Sequence, residues 1–157
     1  MTVSAGRENP LRPMIGVGAV VWHEGKVLLI RRGRPPKAGE WSLPGGAQEL
    51  GETVQQALER EVFEETGIRI TNIEFLEIID LITPGGAHGK PLYHYTLLDF
   101  SADAVTGTAL PIAGDDASDA IWADPDRLET YNLWTVTLRV IEKSRQAHGR
   151  RNRLPSS

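Results

Sequence analysis

The first apolar run, Met14–Trp22 (MIGVGAVVW), is rich in β-branched residues, and a second, Lys26–Arg32 (KVLLIRR), follows after only His23-Glu24-Gly25. Two such runs around a glycine-containing turn predict a hairpin of buried strands. Residues 33–46 (GRPPKAGEWSLPGG) carry too much glycine and proline for a regular element, and predict a surface loop with a short extended piece at Trp41–Leu43. Thr53 followed by Gln56 forms a capping-box pattern, and Gly67 stands where a left-handed helix end is expected, so a helix is predicted over 54–66. Residues 68–83 and 91–102 read as strands, separated by PGGAHGK. Residues 104–118 read as loop and 120–124 as a short strand. Pro125 stands at the first position of an expected short helix over 125–131. Apolar residues near helical spacing over 133–148 predict a closing helix. There is no internal repeat. Strands interspersed with two or three helices indicate a mixed α/β domain. The expected organisation is a mobile N-terminal arm over 1–13, one domain over 14–148 and a disordered basic tail over 149–157.

Composition narrows the function classes. The chain has 157 residues, enough to bury one core without staples. It has no cysteine, which excludes disulfides, thiolate metal sites and a cysteine nucleophile. No apolar stretch approaches the roughly 18 residues a membrane span requires. The N-terminal MTVSAGRENPLRP has no apolar signal core, so a cytoplasmic protein without membrane contact is expected. The net charge of −4 is uneven: the segment from Arg139 onward carries +5, which leaves −9 on residues 1–138. An acidic body argues against general nucleic-acid affinity. It remains compatible with a small anionic substrate, because a bound divalent cation reverses the local field.

The helix over 54–66 carries the most informative pattern. At about 100° per residue, Val54, Ala57 and Leu58 share one arc with Glu61, Glu64 and Glu65. The face that packs inward in the first half therefore turns acidic in the second. Carboxylates gathered on an inward face repel one another and cost several kcal/mol each to desolvate. Two readings follow. Either this is a solvated acidic patch, or its oxygens converge on a cation. Oxygen donors with no cysteine and no nearby histidine suit Mg²⁺ or Mn²⁺.

The segment Gly45–Ile68 (GGAQELGETVQQALEREVFEETGI) resembles the Nudix box, G-x(5)-E-x(7)-R-E-U-x-E-E-x-G-U, where U is a bulky aliphatic residue. Gly46, Glu52, Arg60, Glu61, Val62, Glu64, Glu65, Gly67 and Ile68 fill every fixed position. The resemblance implies an α/β/α sandwich with a mixed β-sheet, and Mg²⁺- or Mn²⁺-dependent hydrolysis of a nucleoside diphosphate linked to another group. It implies Glu61, Glu64 and Glu65 as metal carboxylates, with the Gly45 carbonyl as a further ligand. Glu52 and Arg60 are then partners that fix the loop against the helix, since an arginine buried beside carboxylates is expected to be paired. The base that activates water is left open among Glu64, Glu61 and the later Asp115, Asp116 and Asp119, which also suit ordinary turns.

The substrate signals are thinner. Pro84 lies sixteen residues after Ile68, a spacing similar to that of ADP-ribose pyrophosphatases in the family, although TPGG is also an ordinary turn. Arg32 is a candidate phosphate ligand. Gly46 and Trp41 are candidate substrate contacts, with core packing the competing role for Trp41. Trp22, Trp122 and Trp134 are expected in the core, and His88 and His94 are expected to be structural or beside the substrate. The leading expectation is hydrolysis of ADP-ribose to AMP and ribose 5-phosphate. The alternatives are a pyrophosphohydrolase of oxidised nucleoside triphosphates, a non-catalytic nucleotide sensor, and an enzyme of RNA 5′ ends that uses the basic tail. A homodimer is in keeping with the relatives that cleave ADP-ribose.

Overall fold

The structure is a computed structural model and describes residues 7–34, 37–105, 107 and 110–153. The hairpin forms as expected from β1 (Met14–His23) and β2 (Lys26–Arg32). Its turn residues Glu24 and Gly25 both have positive φ, 49° and 76°, the geometry that matches the twist of a two-residue hairpin. The two strands pair only at Trp22–Val27 and His23–Lys26 and then diverge. Into that fork come β3 (Trp41–Ser42), paired with β2, and β4 (Gly45–Ala47), paired with β1. The Ala19 amide donates to the Pro44 carbonyl between them.

On its other edge β1 runs parallel to β6 (Tyr93–Ala104), which pairs antiparallel with β5 (Ile70–Thr83). The last strand, β7 (Ala117–Ala123), pairs with β2. The result, among the described residues, is a mixed seven-stranded sheet with α1 (Val54–Thr66) on one face and α2 (Thr135–Arg153) on the other.

Alternation along β1 shows why two layers form. Val17, Ala19 and Val21 pack with Ala57, Leu58 and Val62 of α1, whereas Val20 and Trp22 pack with Val140 and Ile141 of α2. Trp22 Nε1 also donates to Ser144 Oγ of α2 at 2.8 Å, which satisfies a buried indole.

Three expectations change. Pro125 does not open a helix: the Asp124 carboxylate accepts from the Asp126 amide and its carbonyl accepts from Arg127, making a turn. A single 3₁₀ turn, Leu128–Tyr131, follows and ends at Asn132 with φ 50°. The closing helix runs past His148 to Arg153, so residues 149–153 are helical rather than part of a disordered tail. His148 Nε2 lies 2.9 Å from Asp103 and anchors the helix just before that extension. Residues 7–9 of the expected arm are tied down, with the Asn9 amide donating to the Leu92 carbonyl and Tyr93 Oη to Glu8. Residues 1–6 of the expected arm and 154–157 of the expected tail lie outside the described residues.

Candidate active site

The capping box sets the register of α1. Thr53 Oγ1 accepts from the Gln56 amide at 3.1 Å and Gln56 Oε1 accepts from the Thr53 amide at 2.9 Å. Gly67, at φ 71°, ends the helix. Between these caps the inward arc places Glu61 and Glu65 in the interior, 2% and 4% exposed, with Glu64 one step out toward solvent.

Gly45 and Gly46 meet them from the fork. The Gly45 amide donates to Glu65 Oε1 at 2.7 Å. A side chain at Gly46 would overlap the Glu61 carboxyl group, and one at Gly45 would overlap the Val17 carbonyl. Glycine is therefore required at Gly45 for β4 to lie this close to β1, and at Gly46 it leaves room for the Glu61 carboxyl group.

Arg60 organises the charge. Its Nε and Nη2 donate to the two oxygens of Glu52, both at 2.8 Å, and its Nη1 donates to Glu61 at 2.8 Å and Glu64 at 3.2 Å. Nη2 also donates to the Ala47 carbonyl. This forked bond to Arg60 holds the Glu52 carboxyl down to about 2. Burial has the opposite effect on the helix glutamates. It raises Glu61 despite the Arg60 bond, and it raises Glu65 to about 8 despite the Gly45 amide.

Of the three loop aspartates, one reaches the site. The Ile112 amide donates to the Thr66 carbonyl and the Gly114 amide to the Glu65 carbonyl, which fastens the loop to the end of α1. Oxygens of Glu61, Glu64 and Asp115 then lie within 4.8 Å of one another. Asp116 instead faces Arg34 at 3.3 Å, and Asp119 sits in β7 opposite Arg31 with its carboxylate on the Ala120 amide. The all-oxygen set of Glu61, Glu64 and Asp115 fits a hard divalent cation. Glu65, expected as a ligand, is turned onto Gly45.

Behind β4, on the α2 face of the sheet, lies a cavity of about 860 Å³. Its origin is the β1 alternation: the positions that hold Val20 and Trp22 deeper in the core are occupied by Gly16 and Gly18 at this end. Added side chains there would come within 2.7 Å of Leu97 and 2.8 Å of Asp99. Arg32, Trp41 and Gly46, expected as substrate contacts, line the cavity, and Trp41 also meets Tyr131 edge-on. Gly45 lines it too.

Pro84 does not line the cavity; it is exposed beyond Thr83, which does. Trp134, expected in the core, is 43% exposed and forms part of the wall, whereas Trp22 is buried. His88 is exposed in the β5–β6 connection and His94 is half-buried in β6; neither lines the cavity.

The residue that sequence reasoning missed is Asp99. It lies in β6 on the cavity floor, 8% exposed, and burial raises its carboxyl to about 6, with Glu77 adding to the effect and Arg139 opposing it. The folded protein thus holds this proton more tightly than the unfolded chain. Stability is lost as pH rises from about 4 to about 6, and the full cost, on the order of 1–3 kcal/mol, applies above that. Asp99→Asn should therefore raise the melting temperature at pH 8 and give no gain at pH 4. A variant that gains equally at both values would show that ionisation of Asp99 is not the cause.

Residues 12–143 match the family model described as the NUDIX domain. The chain is 36% identical over 118 residues to an ADP-ribose pyrophosphatase of Methanocaldococcus jannaschii, covering 75% of this chain and 66% of that protein. It is 33% identical over 120 residues to a putative 8-oxo-dGTP diphosphatase 2 of Mycobacterium tuberculosis, covering 74% and 84%. The crystal structure of a MutT NUDIX hydrolase from Burkholderia pseudomallei superposes with a TM-score of 0.69 at 32% identity, covering 84% of this chain and 98% of that one. The chain spans 36–66% of the length of the first curated relatives it matches.

Proposed function

The chain belongs to the NUDIX family, and on that footing we propose that it hydrolyses the pyrophosphate bond of a nucleoside diphosphate linked to a second group, with ADP-ribose the favoured substrate. Water is added across the bond, giving AMP and ribose 5-phosphate. The observation that carries this reading is one residue, Gly46, where an added side chain would overlap the Glu61 carboxyl group and which also lines the cavity. Carboxylate cluster and cavity therefore meet at one strand.

Glu61, Glu64 and Asp115 would hold Mg²⁺ or Mn²⁺, which when bound neutralises phosphate oxygens and lowers the pKa of a coordinated water. Arg60 keeps Glu61 and Glu64 oriented while Glu52 fixes Arg60. Glu64 and Asp115, the solvent-facing members, are placed to take the proton of the attacking water. Arg32, Arg34 and Lys37 at the cavity present positive charge to the phosphates. The relative from Methanocaldococcus jannaschii supports ADP-ribose.

A second reading, hydrolysis of an oxidised nucleoside triphosphate, is favoured by the relative from Mycobacterium tuberculosis. A release assay with Mg²⁺ across ADP-ribose, nucleotide sugars, dinucleoside polyphosphates and dNTPs, including 8-oxo-dGTP, separates the two. ADP-ribose should show the highest kcat/KM; a tenfold or greater preference for any triphosphate would replace it.

A further inference from the structure

Asp99 is a buried carboxylate that the hydrolytic chemistry does not use. Among the described residues no side chain or backbone group donates a hydrogen bond to it. Its cross-strand neighbour Glu77 is instead engaged by Arg139 of α2, both oxygens lying 2.8 Å from Nη1. Buried polar groups in folded proteins have partners, and a carboxylate with no protein donor that opens onto a cavity is available to water or to a ligand that brings a donor.

The sheet register fixes where Asp99 stands. Gly18 pairs with Gly45 on one edge of β1 and with Asp99 on the other. These three residues form one rung across β4, β1 and β6, so the Asp99 backbone lies about 10 Å from that of Gly45, two strand spacings. Gly18 at the centre of the rung leaves the carboxylate uncovered, since any side chain there would meet Asp99 Oδ1. The Gly45 end of the rung is bonded to Glu65 and is followed by Gly46, which packs against Glu61, so it adjoins the carboxylates that would hold the cation facing the phosphates. Asp99 is then one ribose away from them, at the depth a base would reach. Its surroundings suit a flat ring: Leu97, Ile79 and Val136 are apolar, and Tyr95 and Trp134 are aromatic. A largely apolar cavity holding one polar acceptor positions a ligand by a single directed bond.

We propose that Asp99 reads the base of the substrate by accepting a hydrogen bond from the exocyclic amino group of an adenine. This assignment rests on the nucleotide reading given above and names the group that selects the base. Asp99 is a specificity-determining residue and does not touch the reacting phosphorus.

The test compares ADP-ribose with the analogue whose base is unsubstituted purine, which lacks only the amino group. Wild-type protein should lose at least about tenfold in kcat/KM on the analogue, carried by KM, as expected for one directed hydrogen bond. Asp99→Leu should process both substrates alike, at the level of wild type on the analogue. Asp99→Asn keeps a carbonyl acceptor and should retain part of the preference, which provides a reading if the leucine variant does not fold. An active wild-type enzyme that treats both substrates alike, or an Asp99→Leu variant that keeps the tenfold preference, overturns the assignment and leaves the ADP-ribose reading standing. A wild-type enzyme inactive on both but active on guanine nucleotides overturns both.

Discussion

Glu61→Gln should lower kcat by at least about 10²-fold at saturating Mg²⁺, and Glu64→Gln should do the same, the size expected for losing metal-assisted or general-base chemistry. The fold should survive in both. Glutamine has the shape of glutamate, and at Glu61 it removes a carboxylate whose burial already resists ionisation. The two variants separate in a second measurement. Mg²⁺ that binds only the native state raises the melting temperature of the wild-type protein. Glu61→Gln should abolish most of that shift, because Glu61 is the buried member of the cluster. Turnover near the wild-type value in either variant removes that residue from the chemistry, and an undiminished Mg²⁺ shift in Glu61→Gln places the ion elsewhere.

Gly46→Ala and Gly45→Ala should fail in different ways. The methyl group at Gly46 meets the carboxyl end of a single side chain, Glu61, which can swing aside. This variant should fold and lose activity by a factor close to that of Glu61→Gln. The methyl group at Gly45 meets the Val17 carbonyl and the Gly18 backbone, neither of which can move without opening the β1–β4 pairing. Overpacking of that kind costs about 1–3 kcal/mol or more. Thermal unfolding and kcat measured on both variants check this. A Gly46→Ala protein with normal turnover would show that the Glu61 position seen here is not the working one.

The two alanine variants mark the boundary of what the chain reveals about itself. The helix around Glu61 was legible because its determinants are local: Thr53, Gln56 and Gly67 act within a few residues, and the structure reproduces each contact. The β1–β2 hairpin was legible for the same reason. Asp115 could be named only as one of three candidates, since its place depends on hydrogen bonds from 112 and 114 back to 66 and 65. Trp134 illustrates the limit of hydrophobicity as a guide. An apolar residue predicts burial, but whether it meets core or cavity depends on what stands opposite, here two glycines in a strand over a hundred residues earlier. Asp99 was overlooked because an acid in a strand that also carries His94, Thr96, Ser101 and Asp103 reads as ordinary; its significance comes from its neighbour across the sheet, Gly18.

β1 and β6 pair in parallel from Met14–Tyr95 to Trp22–Asp103, and their α2 face is open at one end and filled at the other. With the base-reading role proposed for Asp99, ligand selectivity and thermodynamic stability would reside on the same two ribbons of backbone. On that proposal, changing which base the floor accepts would take substitutions at Gly16, Gly18, Leu97 or Asp99, a few residues from Val20, Trp22 and Ser101, so altered preference and altered robustness would be inherited together. A lineage of this protein adapting to a new nucleotide would be expected to acquire compensating changes in α2, at Val136 or Val140, before or alongside the change in preference.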